Sequence, residues 1–245
     1  MALATVILAA GKGKRMKSDL PKVLHPLNGR PMIHYVVDVA EQINSDKIII
    51  IVGHKKEMVM EELKSRNVEF AIQEEQLGTG HAVMQTEPLL ENFDGDVLVL
   101  SGDVPLLTAN TISQLLTEHK TKNPYATLLT AEMDDPTGYG RIVRNNNGLV
   151  EKIVEEKDAD ESIKKIKEIN VGIYLFKKQP LFETLPTVKN DNAQGEYYLP
   201  DVIKIYIDEN KPVLPIITDN IDETRGINNV EQLKEAEQVL LSRKN

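Results

Sequence analysis

The chain contains no cysteine, which rules out a disulfide framework, a thiolate nucleophile and any metal site built on sulfur. A bound metal therefore has to rest on oxygen or imidazole ligands. The five histidines, His25, His34, His54, His81 and His119, do not fall into ligand spacing such as HExxH. Long apolar runs are missing too. The opening MALATVILAAGKGKRM has too short an apolar part for a signal peptide, and nothing later approaches the roughly 18 apolar residues of a membrane span. A cytoplasmic protein without membrane attachment is expected. No internal repeat or low-complexity segment is found, which excludes a solenoid or a tail. What is present is 245 residues, 41% of them hydrophobic, enough to bury a sizeable core in one large α/β domain or one with a smaller lobe.

The net charge of −9 argues against general nucleic-acid binding, but the charge is unevenly spread. Residues 11–30 hold Lys12, Lys14, Arg15, Lys17, Lys22 and Arg30 against Asp19 alone. A basic island in an otherwise acidic chain suits a small polyanionic ligand, with a solvated basic turn as the plainer alternative.

Short β-branched runs alternate with amphipathic segments. TVILA at 5–9, KIIIIV at 47–52, VEFAI at 68–72 and DVLVLS at 96–101 read as strands, and their nearly continuous apolarity predicts burial on both faces of a mostly parallel sheet. Pro31 suits a first helical position, after which Met32, Ile33, Val36, Val37, Ala40 and Ile43 recur at helical spacing. Further helices are expected over about 56–65, 80–91 and 109–122. The second half is strand-rich, with ATLLTA at 126–131, GRIVR at 140–144, LVEKIV at 149–154 and INVGIYLF at 169–176, and reads as a mixed-sheet extension. A last helix runs from about Asn229 to Ser242.

The first strand leads directly into Gly11, Lys12, Gly13, Lys14 and Arg15, where an α/β sheet would bind an anion. Glycines let backbone amides approach phosphate oxygens and the cations supply charge. The spacing fits neither GxxxxGK[ST] nor GxGxxG, so a P-loop NTPase and a dinucleotide-binding dehydrogenase are both disfavoured. Pro21 stiffens the chain just before Lys22.

LAAGKGKRMKSDLPKVL closely resembles the signature of the sugar nucleotidyltransferases, specifically the uridylyltransferase half of bacterial bifunctional N-acetylglucosamine-1-phosphate uridylyltransferase/glucosamine-1-phosphate acetyltransferases. QEEQLGTGHAV, SGDVPLLT, DDPTGYGRIVR, IVEEKDA, EINVGIYLF, NAQGEYYLPDVI and GINN resemble that family's blocks in the family's order, over nearly the whole chain. The resemblance implies a Rossmann-like α/β fold, a mostly parallel mixed sheet flanked by helices with a smaller sugar-binding β extension. It also implies a nucleotidyltransferase domain over 1–228, with a nucleotide half at about 1–125 and a sugar half at about 126–228, followed by a C-terminal helix over 229–245.

The resemblance carries the site residue by residue. It assigns the nucleotide to Leu8, Ala9, Ala10, Gly11, Lys22, Gln73, Gly78, Thr79, Ser101 and Gly102, with Gln76 as a neighbour. Read alone, QLGTG is equally a strand-to-helix turn with Thr79 as a cap. An amide side chain suits uracil because it donates and accepts together. Asp103 and Asn228 are implied as Mg²⁺ ligands, one carboxylate and one amide completed by phosphate and water. By composition Asp103 is also a turn residue, and Asn228 reads as a helix cap. Gly140, Glu155 and Asn170 are implied for the sugar phosphate, although Glu155 by itself reads as a surface carboxylate. Ser101 and Val230 depart from the family pattern, where an aromatic and an arginine are common. Arg15 and Lys22 are the implied catalytic cations.

The expected reaction is magnesium-dependent uridylyl transfer from UTP to N-acetylglucosamine 1-phosphate, which would supply cell-wall peptidoglycan synthesis. Acetyl transfer is not expected, since no hexapeptide-repeat β-helix follows. Alternatives are the same fold with another nucleotide or sugar phosphate, and a non-catalytic nucleotide-sugar binding protein.

Overall fold

The computed structural model describes residues 2–243. Strand β1 (Leu3–Leu8) leads through a small hairpin, β2 (Pro26–Leu27) with β3 (Arg30–Pro31), into α1 (Met32–Gln42). Then follow β4 (Lys47–Val52), α2 (Lys56–Glu62), β5 (Glu69–Ile72), α3 (Thr79–Met84), α4 (Glu87–Leu90), β6 (Asp96–Ser101) and α5 (Ala109–Lys122). The continuous apolar runs divide by strand alternation between two cores on opposite faces of the sheet. Ile7, Ile48, Ile50, Leu98 and Leu100 pack with α1 and α5 on one face, while Val6, Ile49, Ile51, Val97 and Val99 join the other. Each fully buried aliphatic side chain contributes roughly 1.5–3 kcal/mol, so β4, buried throughout after Lys47, has no polar position to spare from Ile48 to Val52.

β1 pairs in parallel with β4 on one side and with β6 on the other. The chain moves outward from β1 to β4 and β5, then returns to the opposite flank with β6. Loops leaving β1 and β6 therefore diverge from adjacent carboxyl ends, and the crevice between them is where open α/β sheets bind ligands.

The second half continues the same sheet. It contains β7 (Ala126–Glu132), β8 (Gly140–Arg144), β9 (Val150–Val154), β10 (Glu168–Lys177), α6 (Lys178–Thr184), α7 (Pro200–Asp208), β11 (Val213–Ile217) and α8 (Val230–Ser242). β10 runs antiparallel to both β6 and β7, and β11 closes the far edge in parallel with β7. The order is β11-β7-β10-β6-β1-β4-β5, with the β8–β9 hairpin branching from β10 at Ile169 and Asn170. This is the mixed, mostly parallel α/β architecture with a β extension that the sequence predicts.

Two helical expectations change. The helix expected over 80–91 is two, α3 and α4, because Pro88 at the start of α4 has no N–H to continue the ladder. Pro31 sits one residue before the helix, with ψ 136°, because it pairs with Pro26 in the hairpin. Among the described residues no helix is long and apolar enough to cross a membrane.

Candidate active site

The β1 strand ends at Leu8, its parallel partner β6 ends opposite it at Ser101, and the Gly102 amide donates 2.9 Å to the Leu8 carbonyl. Asp103 thus emerges beside the basic loop. Its own backbone carbonyl accepts from the Ile227 amide at 2.9 Å, a contact that carries Asn228 into the same place. Helix α8 completes the placement: Ala236 and Ile227 are buried together with Leu27, Met32 and Leu106.

The helix cap is Asn229, whose side chain accepts from the Gln232 amide at 2.8 Å. Asn228 is therefore free to turn its side chain inward, while its backbone N–H donates 2.7 Å to Gln232 Oε1. The cap is thus not Asn228, as the sequence read alone suggests, but the asparagine after it, which leaves the Asn228 side chain to the crevice.

Four side chains meet in the crevice. The Lys22 ammonium donates to Asp103 Oδ2 and, over 2.6 Å, to Asn228 Oδ1, and Arg15 donates 2.7 Å to the same Asn228 oxygen. Lys22 is held from behind by Gly13, which has φ +56°. A Cβ there would lie 2.8 Å from the Lys22 Cβ, so the second glycine of the Gly-Lys-Gly turn is where the loop packs down on the lysine stem. No bond among the described residues occupies the amides of Ala10, Gly11 or Lys12, and a Cβ at Gly11 would meet nothing within 4 Å. These amides are available to an anion.

The fit to a divalent cation follows from the lysine. Asp103 Oδ2 and Asn228 Oδ1 already converge on one positive centre. One charged and one neutral hard oxygen suit a magnesium-sized ion that takes its other ligands from phosphate and water. Among the described residues, no group of three or more acidic or histidine side chains forms an all-protein cage.

The cleft around this centre encloses about 580 Å³. Of the sequence-derived residues, Leu8, Ala9, Ala10, Gly11, Arg15, Lys22, Gln73, Gln76, Gly78, Thr79, Ser101, Asp103 and Asn228 line it. Gly102 does not. A Cβ there would lie 3.0 Å from both the Leu8 carbonyl oxygen and Ile33, so this glycine serves strand packing. Lys12 and Gly13 of the basic turn also line the wall, as does Glu196, whose place there is not read from sequence.

The QLGTG segment is clamped by a distant one. Gly78, at φ +111°, passes so close to Tyr197 that a Cβ would lie 2.6 Å from its carbonyl oxygen. The Gly80 amide donates 2.8 Å to that carbonyl. Thr79 Oγ1 accepts from the Leu199 amide at 3.0 Å and does not cap α3, whose N-cap is Gly78 without a side-chain bond. Gln73, 3% exposed, donates 3.0 Å to the Gly78 carbonyl. Gln76 donates to the backbone carbonyls of Gln73 and Glu74 at 3.1 and 3.2 Å.

A second chamber of about 240 Å³ opens from the first, sharing Leu8, Thr79, Ser101 and Glu196 and adding Gly140, Glu155, Asn170, Tyr139 and Tyr198. Asn170 lies beside a bulge in β10, where Gly172 takes φ +79°. Its amide nitrogen donates 2.5 Å to Tyr174 Oη and its oxygen accepts from the Gly172 amide at 3.2 Å. Gly140 leaves room for Glu155, whose Oε1 would lie 3.0 Å from a Cβ there.

Glu155 is pushed up to about 7, first by burial and then by the neighbouring Asp158 and Asp201 carboxylates, with Arg141 opposing. The folded protein thus holds this proton to higher pH than the unfolded chain, so stability from this group falls as pH rises from the ordinary carboxylate value toward 7. Glu155→Gln is expected to raise Tm over wild type at about pH 8, with the gap closing near pH 5. Thermal melts across pH test this, and an equal gap at both pH values contradicts it.

Comparison with known proteins places these features in context. A family of proteins described as nucleotidyl transferases matches residues 4–222. The "Bifunctional protein GlmU" of Bacillus cereus (strain AH187) and that of Bacillus thuringiensis (strain Al Hakam) are each 53% identical over 240 residues, which is 98% of this chain and 52% of the relative. The chain spans about half the length of the curated relatives it matches. A solved UDP-glucose pyrophosphorylase complexed with UDP-glucose superposes with a TM-score of 0.76 at 18% identity, covering 99% of this chain and 100% of that one. At that identity the likeness is one of fold.

Proposed function

Because the chain belongs to the nucleotidyl transferase family, we propose that it transfers the uridylyl group of UTP to N-acetylglucosamine 1-phosphate, releasing pyrophosphate and forming UDP-N-acetylglucosamine. The observation that carries the reading is the junction of two chambers. One holds Arg15, Lys22, Asp103 and Asn228 around an anion-binding loop, and the other opens from it with Gly140, Glu155 and Asn170. A triphosphate in the first and a sugar phosphate in the second bring their phosphates together at the Lys22 centre. The 53% identity over nearly the whole chain supports the choice of substrates.

A sugar-phosphate oxygen attacks the α-phosphorus of UTP, the bond to the bridging α–β oxygen breaks, and its electrons leave with pyrophosphate. The nucleophile is already an anion, so no base is required. The protein's contribution is alignment and charge neutralisation. Asp103 and Asn228 would hold Mg²⁺, which when bound supplies positive charge to the phosphate oxygens. The loop amides and Arg15 bind the leaving pyrophosphate, Lys22 stabilises charge developing at the α-phosphate, and Glu155 and Asn170 orient the sugar through its hydroxyls and acetamido group.

UTP with N-acetylglucosamine 1-phosphate is expected to give the fastest magnesium-dependent pyrophosphate release in a panel of nucleotides and sugar 1-phosphates. Another pair winning by about tenfold, a free-energy difference of about 1.4 kcal/mol, would overturn the assignment.

A further inference from the structure

Gln73 is buried at the end of β5 and lines the nucleotide chamber. Its nitrogen contacts two protein atoms: the Gly78 carbonyl oxygen at 3.0 Å and His81 Nδ1 at 3.1 Å. A backbone carbonyl only accepts, so the NH₂ end of the amide must face it. The second N–H then points at the histidine ring. That bond exists only if Nδ1 is unprotonated, with the ring proton on Nε2. Both Gln73 protons are then used inside the protein, and what the side chain has left to offer a base is its carbonyl oxygen.

We propose that His81 is a specificity-determining positioning residue: beside the Gly78 carbonyl that sets the polarity of the Gln73 amide, it takes up the second N–H and holds the amide in place, so that the chamber presents only an acceptor, which selects uracil over cytosine. Uracil has an N–H at ring position 3, whereas cytosine has a bare nitrogen there, which would face the oxygen lone pair to lone pair. Discrimination by an unpaired or opposed polar group is far stronger than discrimination by shape. The inference rests on the UTP reading above and goes beyond it in naming the side chain that holds the readout in place.

Gln76 is not an equivalent device, since its nitrogen is held by two backbone carbonyls that no side-chain substitution removes. Gln85 is the competitor for the ring. Its nitrogen lies 3.3 Å from His81 Nε2 and donates 3.0 Å to the His81 carbonyl. Donation into Nε2 would require the proton on Nδ1, facing a Gln73 N–H. Gln85 is satisfied by the carbonyl, whereas Gln73 has no other acceptor for its second proton, so the Nε2–H form is the consistent one.

The test compares UTP and CTP with His81→Leu, which removes the acceptor, and His81→Asn, which keeps an oxygen near the Nδ1 position. His81→Leu is expected to lower the UTP:CTP ratio of kcat/KM by about tenfold, mainly through KM for UTP, the scale of one hydrogen bond that orders a buried amide. His81→Asn should keep most of the ratio. An unchanged ratio in His81→Leu, or an equal loss in both variants, overturns the proposal. Long-range ¹⁵N spectra of the wild-type imidazole, with the His81 signals identified by their loss in His81→Asn, need no leucine variant. The Nε2–H form is expected, and the Nδ1–H form overturns the inference. If the wild-type enzyme does not prefer UTP to CTP, the UTP reading itself fails and this inference falls with it. A preference that survives in His81→Leu removes only the role of His81.

Discussion

Lys22→Ala should lower kcat by about 10²–10³-fold, the range for removal of one preorganised group that stabilises developing charge, while the protein melts near the wild-type temperature. The geometry justifies both halves. The Lys22 side chain is 14% exposed, its ammonium held by Asp103 and Asn228 and its stem packed under Gly13. It is therefore already positioned before any phosphate arrives and loses little freedom in the reaction. Its ion pair with Asp103 is only partly buried, with Asp103 26% exposed, so water can hydrate the carboxylate left behind and the loss of stability stays well below the cost of stranding a fully buried charge. The measurement is single-turnover rate at saturating substrates with a melt on the same sample. A loss of Tm large enough to account for the lost activity would make Lys22 a structural residue.

Asp103→Asn should produce an enzyme that melts near wild type but needs far more magnesium for activity. The substitution keeps the side chain's size and leaves untouched the backbone carbonyl that accepts from Ile227, so the link between the β6 loop and the approach to α8 survives. It removes the negative charge that draws a hard divalent cation out of water. Asn228→Ala should resemble it more weakly, because a neutral amide oxygen contributes less to such an ion. Initial rate against magnesium concentration reads the effect. An unchanged magnesium requirement in Asp103→Asn takes this carboxylate out of the metal site.

The parts of the fold legible in sequence are those in which local pattern and burial agree. β4, β6 and α5 lie where their apolar patterns place them, at Lys47–Val52, Asp96–Ser101 and Ala109–Lys122. The first two are buried on both faces, and α5 begins at Thr108, whose hydroxyl accepts from the Thr111 amide. β11 was not legible, because Pro215 stands in its middle and a proline normally argues against a strand. It is tolerated there because β11 is an edge strand that pairs only with β7. α7 was also missed: its buried Val202, Ile203 and Tyr206 form too short a stripe for periodicity to stand out.

In the site, the basic turn and Lys22 were visible as a local excess of charge beside glycines, whereas Asn228 entered only through family resemblance. Nothing local marks it, since Asn229 next to it has the same chemistry and takes the capping position. Glu196, Tyr139 and Tyr198, which line the chambers, were not singled out. The block containing Glu196 and Tyr198 was recognisable, but only folding sets it over Gly78 and Thr79.

The sequence alone thus determined the class of fold, the parallel half of the sheet and the position of the basic glycine turn at the end of the first strand, because each follows from short-range physics: apolar periodicity, turn chemistry and a local excess of positive charge. The tertiary structure decided which polar side chains face one another. Lys22 and Asn228 are 206 residues apart in the chain, and they meet because the Asp103 carbonyl binds the Ile227 amide and α8 packs against the first hairpin. The polarity of Gln73 was decided in the same way, by a carbonyl and a ring nitrogen placed around it. A side chain's composition gives its donors and acceptors, but which of them remain for a ligand depends on what the folded protein has already used.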